Sequence, residues 1–220
     1  MRKILITIGL LLAAHSTAWA AGSAPIAADF HIGPWKLGMT KSEVASFNTF
    51  GPYEPVTETG GLETKNGVFQ DKKSDISFVF DKNGLQYIQV WAYEGKSYEQ
   101  TKKATLALYD LFEKSFGGAT VGNVAVKNPD GSTNVSRASM AVILDRVLGT
   151  ARQLSNEMKK KGDVINIMFD LIPAKQPSGS QLDVQFSYSA RYGTFYVFLF
   201  QDRAGIPPRR VKSNLYAEKP

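Results

Sequence analysis

The 220-residue chain contains no cysteine. That excludes disulfide staples, thiolate metal sites, Cys–His catalysis and lipid attachment through an N-terminal cysteine. Histidine is almost as scarce, with only His15 and His31. His15 lies in a leader-like segment, so a Ser–His–Asp arrangement would depend on His31 as its base, and no G-x-S-x-G elbow is present to offer a serine. A zinc site built on two histidines is equally out of reach. Phosphate-loop and dinucleotide fingerprints are absent, and "DKNG" at 81–84 lacks the later acidic ligands of a calcium loop. No cofactor is expected. Long apolar runs are missing apart from "ILITIGLLLAA", Ile4 to Ala14, which is shorter than the ~20 residues a spanning helix needs. Stable membrane insertion is not expected.

That short run has its own meaning. Arg2 and Lys3 precede it, and Ala18 and Ala20 sit at the −3 and −1 positions of a cleavage site, so residues 1–20 read as a signal peptide. Localisation in the periplasm of a bacterial envelope follows. Removing Arg2 and Lys3 takes the formal charge from +6 to +4, a mild excess that fits ordinary solubility or loose attraction to an acidic partner. So small an excess, in an exported protein, gives nucleic-acid binding little support. Without disulfides the core has to hold the fold alone, and about 200 residues are enough for one large domain or two small ones.

The stretch "GPWKLGMTKSEVASF", 33–47, contains a helix start. Thr40 and Glu43 have the spacing of a capping box, and Met39 and Val44 that of a hydrophobic staple. The turn-rich 51–61 reads as a loop, and "GGLETKNG", 60–67, as a second loop. "DISFVFDKNGLQYIQVWAYEG" reads as a hairpin turning at Asn83-Gly84, with Leu85, Tyr87, Gln89 and Trp91 on one face of the return strand. A helix is expected from Ser97, with Gln100 completing a second capping box, an apolar stripe of Ala104, Leu108, Leu111 and Phe112, and a stop at Gly117-Gly118. A longer helix is expected over about 136–161, burying Met140, Ile143, Leu144, Val147, Leu148, Ala151, Leu154 and Met158 and ending in "KKKG". Three strands follow: "DVINIMFDLI", "LDVQFSYSA" and "TFYVFLFQD".

These elements predict an α+β fold, an antiparallel sheet or sheets with packed helices. The two hairpins align as an internal repeat, Asp75 with Asp183, Phe78 with Phe186, Gly84 with Gly193 and Tyr87 with Tyr196. The expected organisation is a signal peptide (1–20), a first α+β unit (21–118), a linker (119–135), a second α+β unit (136–203) and a C-terminal tail (204–220).

"LGMTKSEV" at 37–44 ahead of a hairpin resembles small envelope proteins that place a short helical segment on an antiparallel sheet. The lipoprotein subunits of the outer-membrane protein assembly machine are of this kind, as is beta-lactamase inhibitor protein, which has two tandem copies. Gly38, Met39, Thr40 and Val44 carry the match over roughly residues 30–92, and the lipid-bearing cysteine of the lipoproteins is absent. The resemblance implies a binding scaffold rather than an enzyme.

Two features bear on function. "TFYVFLF", 194–200, is apolar on both strand faces, so it needs a covering layer on each side, supplied by the rest of the chain or by a partner. Loop residues Tyr53, Tyr93, Lys96, Tyr98, Arg191 and Tyr192 have the composition of a protein–protein hot spot. The expectation is an exported, non-enzymatic protein-binding module, an inhibitor or immunity protein whose partner is another envelope or secreted protein. An envelope-maintenance factor handling lipid or outer-membrane proteins, and a hydrolase with a carboxylate- or Ser-based site, are the alternatives.

Overall fold

The computed structural model describes residues 30–122, 133–159, 166–189 and 192–205. The expected signal peptide, the "NPDG" turn, the glycine of "KKKG", Arg191 and tail residues 206–220 lie outside them.

Local chemistry starts the first helix as expected. The Glu43 N–H donates to Thr40 Oγ1 at 3.3 Å and the Thr40 N–H donates to Glu43 Oε2 at 2.7 Å, closing the capping box of α1, Lys41–Ala45. The backbone hydrogen bond from Thr40 also holds the Glu43 carboxyl below its ordinary range. The helix is only five residues long, and its work is shared with a 3-10 turn at Asn48–Phe50. Between them sits Trp35, fully buried, with the rings of Phe50 and Phe78 at 5.0 and 4.8 Å and that of Phe47 at 6.4 Å.

Strands β1 (Glu54–Val56), β2 (Gly61–Phe69), β3 (Lys72–Asp81) and β4 (Gly84–Gly95) follow. Then come α2 (Tyr98–Phe116), β5 (Ala119–Val121), α3 (Arg137–Lys159), β6 (Asn166–Pro173), β7 (Ser180–Ser189) and β8 (Thr194–Arg203). All eight strands join one sheet in the order β1-β2-β3-β4-β8-β7-β6-β5, and every neighbouring pair is antiparallel. The fold is thus α+β, with a single continuous sheet where one or two were open. The halves meet at β4 and β8, where Val90 pairs with Leu199, Gln89 with Phe200 and Trp91 with Phe198. Aligning Tyr87 with Tyr196 equates Val90 with Leu199, Gln89 with Phe198 and Trp91 with Phe200. The observed register is therefore the one that an approximate two-fold axis through the Val90–Leu199 pair imposes on the two hairpins.

One core underlies both halves. Leu108, Tyr109, Phe112 and Phe116 of α2 join a cluster with Ile76, Ile88 and Val90 of the first half and Val184, Phe186, Val197 and Leu199 of the second. Met140, Leu144 and Leu148 of α3 belong to the same cluster, with Ile143 and Val147 packed against it. The side chains of Ala151, Leu154 and Met158 lie outside the described residues. Arg137 to Asp110 at 2.7 Å and Lys102 to Asp145 at 2.6 Å tie α3 to α2.

The structure departs from several expectations for identifiable reasons. Leu85 does not share a face with Tyr87. Phe80 pairs with Leu85 but Val79 pairs with Tyr87, so Gln86 is a bulge and Leu85 turns into the helix-side core. The buried stripe of α2 is rotated to include Thr101 and Thr105, whose hydroxyls donate to the carbonyls four residues back, Ser97 at 2.7 Å and Thr101 at 3.0 Å. Only half of the second capping box forms. Gln100 N–H donates to Ser97 Oγ at 3.3 Å, but Ser97 N–H donates to Tyr93 Oη at 3.0 Å. The segment 60–67 is mostly strand β2 rather than loop, Glu54–Val56 form an edge strand, and the linker begins with the edge strand β5.

The "LGMT" segment also takes part in the sheet. Gly38 N–H donates to the Leu85 carbonyl at 2.8 Å, and Leu85 N–H to the Met39 carbonyl at 2.7 Å. Gly84 has φ of +92°, and a Cβ there would lie 2.2 Å from the Gly38 carbonyl oxygen. Gly60, with φ of +61°, has nothing within 4 Å of that position. Gly60→Ala is therefore expected to cost about 1–2 kcal/mol of stability from the left-handed backbone alone. Gly84→Ala adds a backbone collision and is expected to cost about 3 kcal/mol or more. Urea unfolding of the two variants checks this, and equal losses would contradict the joint.

Candidate protein-binding face

The residues singled out from loop composition are placed in three different ways. Tyr53 is half-buried on the first half, its hydroxyl donating to the Phe47 carbonyl at 3.1 Å and its ring 6.0 Å from Phe78. Burial pushes its phenol up, partly offset by the indole of Trp35. Tyr93, Lys96 and Tyr98 fall within six residues where β4 passes into α2. Tyr93 accepts the Ser97 N–H and donates to the Ser97 carbonyl at 3.3 Å, so it caps α2. Lys96 is exposed in the connection. The Tyr98 hydroxyl donates to Asp145 Oδ1, which also takes the Lys102 ammonium. Tyr192 is half-buried in the β7–β8 turn. It shares the Tyr93 end of the sheet, because Tyr93 pairs with Val197 and Gly95 with Phe195 just beyond that turn. Arg191 is outside the described residues. The fold thus gathers Tyr93, Lys96, Tyr98 and Tyr192 at one end and leaves Tyr53 apart.

A different surface comes from the register. Directly paired strand residues share a face. One row crosses the sheet as Asp75, Trp91, Phe198, Gln185 and Asp170, and the next as Glu63, Ser77, Gln89, Phe200 and Asp183. Flanking rows add Val79, Tyr87 and Asp202 on one side and Glu94 and Tyr196 on the other. This is the face away from the helices. Among the described residues its apolar cluster, Tyr87, Tyr196, Phe198 and Phe200 with Val79 and Trp91 against it, contains strand residues alone. Trp91 meets Phe198 edge-on at 4.8 Å, and Tyr196 stacks on Phe198 at 5.9 Å.

Six carboxylates, Glu63, Asp75, Glu94, Asp170, Asp183 and Asp202, surround these rings. Burial pushes the Asp170 carboxyl up, and burial with the nearby Glu94 charge pushes the Tyr196 phenol up. At the end nearest Tyr93, Glu63, Thr64, Lys65, Asp75, Trp91 and Glu94 line a cleft of about 40 Å³. That is room for about one water, far below the volume of a sugar ring. His31 is exposed near the start of the described chain, and no group of three or more His, Cys, Asp or Glu among the described residues is placed to hold a metal ion.

Composition alone did not single out this face. The signal was the double-sided apolar character of 194–200, combined with the alternation of Tyr87, Gln89 and Trp91 on β4. The acidic residues come from six strands and meet only through pairing.

The Tyr98–Asp145–Lys102 group yields a pH expectation. Burial, reinforced by the hydrogen bond to Asp145 and its charge, pushes the Tyr98 phenol up to about 12. The unfolded chain releases this proton near pH 10 and the folded one only near 12, so stability from this group is complete below pH 10 and is lost as pH rises to 12. In Asp145→Asn the Tyr98 titration is expected to move down toward 10 and the alkaline loss of stability to shrink. Ultraviolet titration referenced to Tyr98→Phe checks this; an unchanged curve would contradict it.

Comparison of the chain with protein-family models, curated proteins and solved structures finds no match.

Proposed function

We propose that the chain is an exported, non-enzymatic protein-binding module that acts in the periplasm as an inhibitor or immunity protein toward another envelope or secreted protein. The observation that carries this reading is the helix-free face, specifically its end at Trp91. There the exposed carboxylates Asp75 and Glu94 flank a partly exposed indole. A large amphipathic ring bordered by charges of one sign is the composition of an interface anchor with a polar rim. Tyr93, Lys96 and Tyr192 sit at the same end of the sheet, Tyr93 on its helix side. The rigid sheet beneath fixes these groups before binding, which lowers the ordering cost of association.

The acidic rim calls for a basic partner surface, and long-range attraction then speeds encounter and falls with salt. Among the described residues, no helix is long and apolar enough to cross a membrane. The three carboxylates of the small cleft are the observation that favours a hydrolase, and the cleft's volume weighs against it.

Affinity capture with the mature protein from periplasmic extract is expected to recover one stoichiometric protein. The pair Asp75→Lys and Glu94→Lys is expected to weaken that complex at least ~10-fold, mainly through slower association. Capture of no stoichiometric protein, or a complex indifferent to both reversals and to salt, would overturn the reading.

A further inference from the structure

Turn chemistry gathers positive charge at the corner where β3 passes into β4. The turn closed by the Asp81–Gly84 pair carries Lys82. The Met39 N–H donates to the Lys36 carbonyl at 3.2 Å, which folds 36–39 into a tight turn, and Gly38 and Met39 bond that turn to Leu85. Lys41, one residue past the Thr40 cap, lies over the Phe80 ring at 5.7 Å. Lys36, Lys41 and Lys82 are exposed and make no ion pair among the described residues. The two carboxylates of the corner are engaged locally. Glu43 accepts from the Thr40 N–H and hydroxyl at 2.7 and 2.8 Å. Asp81 accepts from the Asn83 N–H at 2.7 Å and from the Arg203 guanidinium at 3.3 Å. Arg203 also donates to the Asn83 and Leu85 carbonyls, at 3.2 and 3.0 Å. Arg203 thus neutralises Asp81, and three lysines outnumber the one remaining carboxylate. Leu37, Met39 and Phe80, partly exposed, belong to the same corner.

We propose that this corner is a docking surface for an anionic phospholipid bilayer. Three observations select that occupant. The available cations are all lysines, while the arginine is held by backbone carbonyls; protein interfaces favour arginine and are depleted in lysine, whereas a diffuse anionic surface asks only for charge. Apolar side chains lie among the lysines, the composition of a surface that rests at the headgroup boundary. The lysines come from separate segments that hydrogen bonds hold together, so the patch needs little ordering on contact. The other end of β3 differs, because Lys72 and Lys73 share it with the exposed carboxylates Asp71 and Asp75. Trp91 lies about 23 Å along β4 from Gly84. The corner can therefore rest on a membrane while the Trp91 end stays in solution, and this inference does not depend on the identity of any protein partner.

Co-sedimentation of the mature full chain with vesicles tests it. The probes are vesicles of phosphatidylcholine alone and of phosphatidylcholine mixed with phosphatidylglycerol. Binding is expected to the mixed vesicles only, and to fall as salt is raised. Lys36→Gln, Lys41→Gln and Lys82→Gln are each expected to lower the partition coefficient about 5-fold, and the triple variant about 100-fold. A control triple variant, Lys65→Gln, Lys72→Gln, Lys73→Gln, removes the same charge from the other end of β2 and β3 and is expected to change it less than about 3-fold. All six are exposed side chains, so the urea midpoints are expected to stay unchanged. Equal losses in the two triple variants would mean that net charge acts without a site, and would overturn the proposal. So would equal binding to both kinds of vesicle, or binding to neither. Binding of soluble poly-L-glutamate in place of vesicles, lost in the first triple variant, would assign the corner to an acidic protein and would overturn the membrane as its occupant.

Discussion

Strand β8 has no solvent side. Residues Phe195 to Asp202 are buried in an unbroken run, with Phe195, Val197 and Leu199 in the helix-side core and Tyr196, Phe198 and Phe200 in the aromatic cluster opposite. Each large side chain so placed is worth about 1.5–3 kcal/mol relative to leaving it in water. The strand can occupy no edge, and it lies at the centre of the sheet between β4 and β7. Most of the architecture follows. The first half must dock its own last strand against it, and α2 must cover both central strands. The sheet ends its two open edges with strands of only three residues, β1 and β5, which leaves little unpaired backbone to recruit another chain.

How much of this was legible depended on how local the cause was. The Thr40–Glu43 box and the helix stop at Gly117, with φ of +74°, lie within a few residues of each other and were readable. The Asn83-Gly84 turn was readable too, but the reason Gly84 admits no side chain is the Gly38 carbonyl, forty-six positions away in the chain. Leu85 was misplaced because one bulged residue reverses the parity of everything beyond it. Thr101 and Thr105 were passed over as core because their self-satisfied hydroxyls behave as apolar surface, which residue type alone does not reveal.

The candidate site divides in the same way. Loop composition pointed to Tyr53, Tyr93 and Tyr98, and the fold uses all three hydroxyls internally, on the Phe47 carbonyl, the Ser97 backbone and the Asp145 carboxylate. The acidic and aromatic rows of the helix-free face are a property of register across β2, β3, β4, β8, β7 and β6. No window of sequence contains them, and the two-sided pattern of 194–200 with the alternation of Tyr87, Gln89 and Trp91 were the local traces they left.

The account rests on the two halves sharing one core through β4 and β8, and differential scanning calorimetry of the mature chain tests it most directly. A single endotherm with a calorimetric-to-van't Hoff enthalpy ratio of about one is the expected result. Two resolved transitions, or a ratio near two, would mean that the halves melt separately and would contradict it.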